Sequence, residues 1–306
     1  MGLTFPEYGR YLSRKGHYRP DVGGLQRVTT GVKMRIYLMT DLEGVAGVLE
    51  FENWCRPESR YYELAKEFLT QEVNAAVEGF FAGGATHVTV ADGHGPGAIA
   101  PHLLDPRAEL LRGWPRGWPL ELDGSYDAVA WVGQHAKAGS EFAHLAHTQS
   151  FRYLDLSVNG VSIGEFGQFA FCAGELGARY IFGAGDEAFT KEARDLGPGI
   201  EVVPVERGLT PGRGDECTAE EYMRRNYAAM HLSSKEACRR IREGAERAVR
   251  RAIKEKFGFV RMDPPYERVA KFRPYEGYPW PTVSVECHPE SFIALMNMPF
   301  NPKPVT

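Results

Sequence analysis

The sequence predicts an α/β protein with a largely parallel sheet flanked by helices, followed by a second, smaller α+β domain. Between residues 33 and 205, short apolar runs alternate with amphipathic segments, an order that favours parallel strand pairing. A stretch rich in Gly, Pro and charge begins near Gly208, and two helical segments and two strand-like runs follow it. We therefore expect a basic arm at 1–33, an α/β domain at 34–207 and an α+β domain at 208–306.

The first strand–helix–strand unit lies between residues 33 and 97. Lys33–Asp41 alternates into an apolar run, which predicts a strand. Pro57–Phe81 carries apolar residues at helical spacing, and the Gly83-Gly84 pair is typical of a helix end. His87–Asp92 is the next predicted strand, and a glycine-rich loop follows it.

The same alternation continues to residue 205. Asp127–Gly133 is a third apolar strand, and Leu154–Ile163 contains Asn159-Gly160, a strong signal for a hairpin turn. The remaining predicted elements of this half are helix Gly164–Leu176, strand Arg179–Gly183, helix Glu187–Leu196 and strand Glu201–Val205.

The second half is predicted to contain helices Thr218–Met230 and Ser233–Phe257 and strands Arg268–Phe272 and Thr282–Cys287. The second helix carries many Arg and Lys residues, but acidic residues are interspersed and no aromatics are interleaved with them. That composition favours a solvated helix face over a nucleic-acid interface.

Composition excludes several classes of protein. The net charge of −4 does not call for a nucleic-acid partner, and no apolar run approaches the roughly 18 residues of a membrane helix. The five cysteines are scattered without a CxxC pair, which favours a reducing compartment, so we expect a cytoplasmic protein. Residues 1–33 hold six basic and two acidic residues together with four aromatics, which predicts an arm that docks on the body or on a neighbouring subunit.

Ligand-type side chains follow three neighbouring predicted strands. Asp41 and Glu43 come at the end of the first strand, His94 just past the second and His135 just past the third. In open α/β sheets, ligands bind outside the carboxyl ends of the strands, so we expect these side chains to meet there. Two carboxylates with two or more imidazoles suit zinc or a similar divalent ion.

Three further residues near this edge have two interpretations each. Glu165 begins a predicted helix, where a carboxylate is stabilised with or without a ligand. His144 and His147 lie three positions apart in a segment that is either a helical turn or a loop. His87 and His102 do not follow strand ends, so we interpret them as structural.

These residues together resemble the zinc D-aminopeptidases. The resemblance rests on five segments in the family's order and rough spacing: Asp41-Leu42-Glu43-Gly44, His94 after Asp92-Gly93, Gly133-Gln134-His135-Ala136-Lys137-Ala138, His147, and Gly164-Glu165. It covers roughly residues 34–205. It implies a dizinc aminopeptidase that removes an N-terminal D-residue, especially D-Ala, from short peptides of cell-wall origin, and that assembles as a homodecameric ring.

The resemblance also implies roles for six residues. Asp41 corresponds to the carboxylate that bridges two zinc ions. Glu43 and His135 correspond to the other ligands of one ion, His94 and Glu165 to those of the second, and His147 to the catalytic histidine. The His135–His147 loop is one residue longer than the family pattern, and the segment Phe257–Pro281 and the basic arm are not part of it.

Other functions stay open from the sequence. A dimetal phosphoesterase uses similar ligands but needs cations for phosphate, and Lys137 is the one close candidate. An amidase acting on another small substrate uses the same chemistry. A metal-stabilised scaffold without catalysis is disfavoured, because structural zinc sites are usually rich in cysteine and this constellation contains none.

Overall fold

A largely parallel, seven-stranded sheet forms the centre of the protein, as the sequence predicts. The computed structural model describes residues 33–305, so the arm expected at 1–33 lies outside the described residues except for Lys33. In order across the sheet, the strands are β3 (Glu109–Leu111), β2 (His87–Asp92), β1 (Arg35–Thr40), β4 (Ala128–Gln134), β7 (Arg179–Asp186), β8 (Glu201–Gly208) and β9 (Ala229–His231). All neighbours pair in parallel except β8 and β9.

A second sheet of five strands is antiparallel. Its strands, in order, are β12 (Lys303–Pro304), β11 (Thr282–His288), β10 (Tyr266–Phe272), β5 (Tyr153–Val158) and β6 (Val161–Ser162). The predicted hairpin turn is confirmed between β5 and β6, where Asn159 and Gly160 have φ of 50° and 77°. Two consecutive positive φ angles are the geometry for which Asn-Gly is preferred in two-residue hairpins.

Helices cover both faces of the large sheet. The helices are α1 (Phe51–Trp54), α2 (Tyr62–Gly83), α3 (Glu165–Glu175), α4 (Glu187–Leu196), α5 (Ala219–Arg225), α6 (Ser234–Lys254) and α7 (Phe292–Met296). Helices α2 and α6 share one apolar core with one face of the sheet, and α3, α4, α7 and the second sheet share another core with the opposite face. Alternate residues of β1 divide accordingly: Ile36 and Leu38 enter the first core, Tyr37 and Met39 the second.

Several elements differ from the sequence prediction. The helix expected at Thr218–Met230 ends at Arg225, and Ala229–His231 instead forms edge strand β9 against β8. The elements β3, β12, α1 and α7 were not predicted, because two to five residues are too few to show a period. Both sheets draw strands from either side of residue 208, so they do not mark the expected boundary, and the division there stays a prediction.

The surface of α6 agrees with its interpretation as a solvated face. Arg239 pairs with Glu236 and Glu243 on the same helix, and Arg242 pairs with Glu78 of α2. Within residues 33–305, no helix has the length and apolar character needed to cross a bilayer. All five cysteines lie in this range as free thiols.

The backbones at the ends of β1 and β4 approach closely. Gly133 has φ of 78°, and a Cβ atom built on it would lie 2.0 Å from the Asp41 carbonyl oxygen. A Cβ on Gly44 would lie 2.2 Å from the Gln134 carbonyl oxygen. The Gly44 N–H donates to the Gly133 carbonyl at 2.8 Å. Glycine at both positions therefore permits the contact that sets the loop after β1 against the end of β4.

We expect Gly133→Ala to lower the free energy of unfolding by about 3 kcal/mol, because a left-handed backbone and overlap with Asp41 combine there. Gly160→Ala is the matched control, since Gly160 has nearly the same φ but nothing within 4 Å of its Cβ position. The control should lose only about 1 kcal/mol. Urea denaturation of both variants measures the difference, and equal losses would contradict the importance of the close approach.

Candidate metal centre and active site

Three parallel strands deliver ligand-type side chains to one edge of the large sheet. Asp41 directly follows β1, His94 lies two residues past β2 and His135 directly follows β4. The register places Thr40 beside both Asp92 and Val132, so the three strands end at one level. The structure thus brings these side chains together with Glu43, and all four are buried.

Asp41 lies at the centre of this group. Its Oδ1 is 3.2 Å from His94 Nδ1, and its Oδ2 is 3.2 Å from His135 Nε2. The two carboxylate oxygens therefore face two different imidazoles. The Leu42 N–H also donates to Oδ1 at 2.9 Å, which orients the carboxylate.

Each of the two histidines has a second carboxylate beside it. His94 Nδ1 is 3.2 Å from Glu43 Oε2, and His135 Nε2 is 3.4 Å from Glu165 Oε1. These distances pair Glu43 with His94, whereas the resemblance implied Glu43 with His135. Ligand atoms of Asp41, Glu43 and His135 also lie within 4.8 Å of one another, so the geometry accommodates both pairings.

The remaining nitrogens of both histidines face backbone carbonyls. His94 Nε2 lies 2.8 Å from the Cys55 carbonyl, and His135 Nδ1 lies 2.9 Å from the Ala136 carbonyl. A carbonyl only accepts, so these nitrogens carry hydrogen, and the nitrogens that face the carboxylates are free to bind an ion. This is the usual support of metal-binding histidines.

Glu165 and His147 complete the group from the side of α3. Glu165 is the first residue of α3, and its Oε1 accepts the Gln149 N–H at 2.7 Å. The His147 ring stacks on the His135 ring with centroids 3.8 Å apart, and its Nε2 lies 3.9 Å from Glu165 Oε1. His147 Nδ1 faces the Leu145 carbonyl at 2.8 Å, which leaves Nε2 directed toward the group.

The electrostatics of the group call for a cation. Three buried atoms of this group have no hydrogen-bond partner among residues 33–305: Asp41 Oδ2, Glu43 Oε2 and His135 Nε2. Burial opposes the ionisation of Asp41, but His135 and His94 hold its pKa well below the ordinary value. Burial also lowers the pKa of His94, but Glu43 and Asp41 outweigh it and raise that pKa well above its usual range. Buried polar atoms without partners are costly, and oxygen and nitrogen donors around one point suit a divalent ion.

His147 differs from the other two histidines. Burial and the neighbouring His135 lower its pKa, whereas the carboxylates nearby act in the opposite direction without overcoming them. The neutral imidazole is therefore the favoured form of His147, in contrast to His94 and His135.

Five residues of the group line a cavity of about 690 Å³: Asp41, Glu43, His94, His147 and Glu165. The walls combine apolar side chains with cations; among them are Phe51, Phe151, Met223, Arg56 and Arg152. This size and mixture are typical of small-molecule sites, which are mostly apolar with a few placed polar groups.

The segment that departs from the family pattern reaches residues of the cavity wall. The Arg152 guanidinium lies 4.1 Å from the centre of the Tyr275 ring, and the Glu276 N–H donates to Glu220. Both Arg152 and Glu220 line the cavity. The segment Phe257–Pro281 therefore contacts two residues of the cavity wall.

Other residues singled out from the sequence lie away from the group. Asp92 accepts the Ala98 N–H and so shapes the loop that carries His94. Lys137 Nζ donates to the Ser162 carbonyl at 2.8 Å and does not line the cavity. His144 is in a loop rather than a helical turn and faces Glu206 instead of His147.

Four wall or support residues were missed in the sequence: Cys55, Gln149, Phe151 and Arg152. Cys55 and Gln149 act through backbone atoms, which leave no residue-type signal. The Phe151-Arg152 pair stands four residues after His147, and that proximity was the available clue.

Comparisons with known proteins identify the family and the fold. The family model for peptidase family M55, described as D-aminopeptidase, matches residues 34–276. A D-aminopeptidase of Bacillus subtilis (strain 168) is 27% identical over 180 residues, which are 58% of this chain and 65% of that protein. The match thus spans less than two thirds of the relative's length.

A solved structure shares the fold. The Zn-dependent D-aminopeptidase DppA from Bacillus subtilis, described as a self-compartmentalizing protease, superposes with a TM-score of 0.71 at 22% identity. The superposition covers 86% of this chain and 94% of that one.

Fold and family match agree on the class of protein, a peptidase family with this fold. The chain belongs to peptidase family M55, the D-aminopeptidase family.

Proposed function

We propose that this chain is a dizinc aminopeptidase that removes an N-terminal D-residue, D-Ala or a similar one, from short peptides. The observation that carries the proposal is the position of Asp41, whose two oxygens each lie 3.2 Å from a different histidine. Each of those histidines has a second carboxylate beside it. One carboxylate between two imidazole–carboxylate pairs is the arrangement that two divalent ions with a shared ligand require.

The ligand set that we propose is Asp41 with Glu43 and His94 for one ion, and Asp41 with His135 and Glu165 for the other. The shortest nitrogen–oxygen distances support this pairing, whereas the ligand atoms of Asp41, Glu43 and His135, which lie within 4.8 Å of one another, support the Glu43–His135 pairing implied by the resemblance. Three of the buried atoms that lack a partner within residues 33–305 belong to this set: Asp41 Oδ2, Glu43 Oε2 and His135 Nε2. Carboxylates and imidazoles without thiolate suit zinc in a catalytic site.

Bound ions would generate a nucleophile from water near neutral pH and polarise the scissile carbonyl. The chain's own residues then orient and move protons. His147 donates Nδ1–H to the Leu145 carbonyl, so its Nε2 is free to accept a proton. We propose that His147 moves the proton to the leaving amine. Gln149 holds Glu165 through its N–H, which keeps that carboxylate beside His135.

The alternatives are less well supported. Lys137, the cation that the sequence offered for a phosphoesterase, donates to the Ser162 carbonyl and does not line the cavity, although Arg56 and Arg152 do. Family membership favours a peptidase over a phosphoesterase or a scaffold. Only substrate tests distinguish the proposed aminopeptidase from an amidase that acts on another small substrate.

We also propose that the chain assembles as a homodecameric ring. The related DppA is described as self-compartmentalizing, and this chain exposes large apolar side chains such as Trp280 and Phe142. Light scattering is expected to give a mass about ten times the 34.1 kDa of one chain. A monomeric mass at micromolar concentration would contradict the ring.

Substrate class is tested with a panel of matched dipeptides. The zinc-loaded protein is expected to release D-Ala from D-Ala-containing dipeptides at least tenfold faster than L-Ala from their L counterparts. The same panel includes a D-Ala amide and a phosphomonoester, which score the amidase and phosphoesterase alternatives. Hydrolysis of the phosphomonoester without peptide hydrolysis would overturn the proposal.

Asp41 is expected to be the most sensitive ligand. Asp41→Ala should lower the number of bound ions by two and remove activity more completely than Glu43→Ala, because a shared carboxylate serves both ions. Elemental analysis and D-Ala release measure the two effects. Retention of both ions in Asp41→Ala, with a greater loss in Glu43→Ala, would disprove the shared role.

For His147→Ala we expect loss of turnover with both ions retained. A residue that acts in the transition state should lower kcat without a matching rise in KM. His102→Ala is the control, since His102 is exposed and lies outside the cavity wall. His147, His135 and Glu165 ligand atoms lie within 4.8 Å of one another, so loss of one ion in His147→Ala would make it a ligand.

A further inference from the structure

A second buried group of ligand-type side chains lies apart from the catalytic group. It consists of His144 in the loop after β4, Glu206 on β8 and His231 on β9, with ligand atoms within 4.8 Å of one another. Glu206 Oε1 lies 3.2 Å from His144 Nδ1, and Glu206 Oε2 lies 2.8 Å from His231 Nδ1. His144 and Glu206 are fully enclosed, and His231 is 13% exposed at its side chain.

The hydrogen bonds of the two histidines do not direct an N–H group of a neutral ring at Glu206. His144 Nε2 lies 3.1 Å from the Leu49 carbonyl, which only accepts, so Nε2 carries hydrogen. In a neutral ring, the lone pair of Nδ1 then faces Glu206. His231 Nδ1 is an acceptor for the Gly47 N–H at 3.3 Å, and it also faces Glu206. When the His144 ring is neutral, two nitrogen lone pairs therefore point at one carboxylate.

Glu206 Oε2 lacks an aligned donor. Within residues 33–305 it has no hydrogen-bond partner, although His231 Nδ1 is only 2.8 Å away. Acceptors at that distance repel unless a proton or a metal cation lies between them. The Gly47 contact is at the long end of the hydrogen-bond range, and an ion on His231 Nδ1 would replace it.

Two more buried carboxylates lie around the group. The Asp186 carboxylate accepts the His144 N–H at 3.0 Å, and Glu72 accepts the Ala46 N–H at 3.0 Å. Both side chains are fully buried, and both act as acceptors for backbone N–H groups.

We propose that His144, Glu206 and His231 bind a third divalent transition-metal ion, zinc in the first instance. Two imidazole nitrogens and one carboxylate oxygen are donors that zinc accepts, and the backbone carbonyl behind His144 supports the ring as in known sites. A cavity of about 200 Å³ lined by Glu206 and His231 provides an entry path and room for a water ligand.

The place of this ion in the fold indicates a structural role. The group joins the loop that carries His144 and His147 to strands β8 and β9. It also contacts Gly47 and Leu49, in the loop that continues from Glu43. The ion would therefore hold two loops that reach the catalytic group, while lying outside the cavity that contains that group.

The number of bound zinc ions tests the proposal on the full chain. Protein saturated with zinc, then freed of loosely bound metal, is analysed for its zinc content. His231→Ala is expected to bind one ion fewer per chain than the unaltered protein. His87→Ala is the matched control, because His87 is also partly buried beside a carboxylate, Glu109, but belongs to no group of three ligand-type side chains in the part of the chain that the structure describes. Its zinc content should not change.

The Asp41→Ala variant, used as the starting protein for further substitutions, separates this site from the catalytic one. Asp41→Ala should retain one ion per chain, and addition of His231→Ala should remove it. If Asp41→Ala retained more than one ion, the catalytic assignment would fail, but the loss of one ion on changing His231 would still support the third site. Glu206→Gln provides an isosteric variant that should likewise lose one ion.

The thermal midpoint gives an independent readout in the Asp41→Ala background. Added zinc should raise the midpoint there and should have no such effect once His231 is also changed. Full zinc content in both His231→Ala and Glu206→Gln would overturn the proposal. A thermal midpoint that does not change with added zinc but varies with pH would show that protons, not a metal ion, hold the group together.

Discussion

The close approach of two backbones is the constraint on which the candidate active site depends. The loop after β1 lies against the end of β4, and its Asp41 and Gly44 N–H groups donate to the Val132 and Gly133 carbonyls. No Cβ atom can be accommodated at Gly44 or Gly133. Because these two segments of the chain touch there, Asp41 and His135 lie within ligand distance, although nearly a hundred residues separate them in the sequence.

Charge explains why this arrangement suits metal ions. Asp41, Glu43 and Glu165 converge on two imidazoles, and several of their buried polar atoms find no donor among the described residues. A protein that buried these groups without an ion would bear a large desolvation cost. Glu165 reaches the group from α3, which follows the hairpin of the second sheet. The site therefore combines loops of the large sheet with the helix that follows the hairpin of the second sheet.

The two clusters share their loops. The segment after β1 holds Asp41 and Glu43 at one end and contacts the second cluster through Gly47 and Leu49 at the other. The loop after β4 likewise carries His147 toward the catalytic group and His144 toward Glu206. Changes at either cluster are therefore expected to be energetically coupled, since residues on one short loop seldom act independently.

The local sequence pattern by itself determined much of the secondary structure of this protein and part of its candidate site. Local pattern was sufficient to predict the parallel strands β1, β2, β4, β7 and β8 and the Asn159-Gly160 turn, because side-chain period and turn chemistry are local properties. Placement after strand ends was sufficient to predict that Asp41, His94 and His135 meet. Tertiary structure alone decided that Glu43 lies beside His94, that His144 and His147 face different clusters, and that Ala229–His231 is a strand. Those outcomes depend on distances between residues remote in the chain, which the packing of the two sheets sets and no local period encodes.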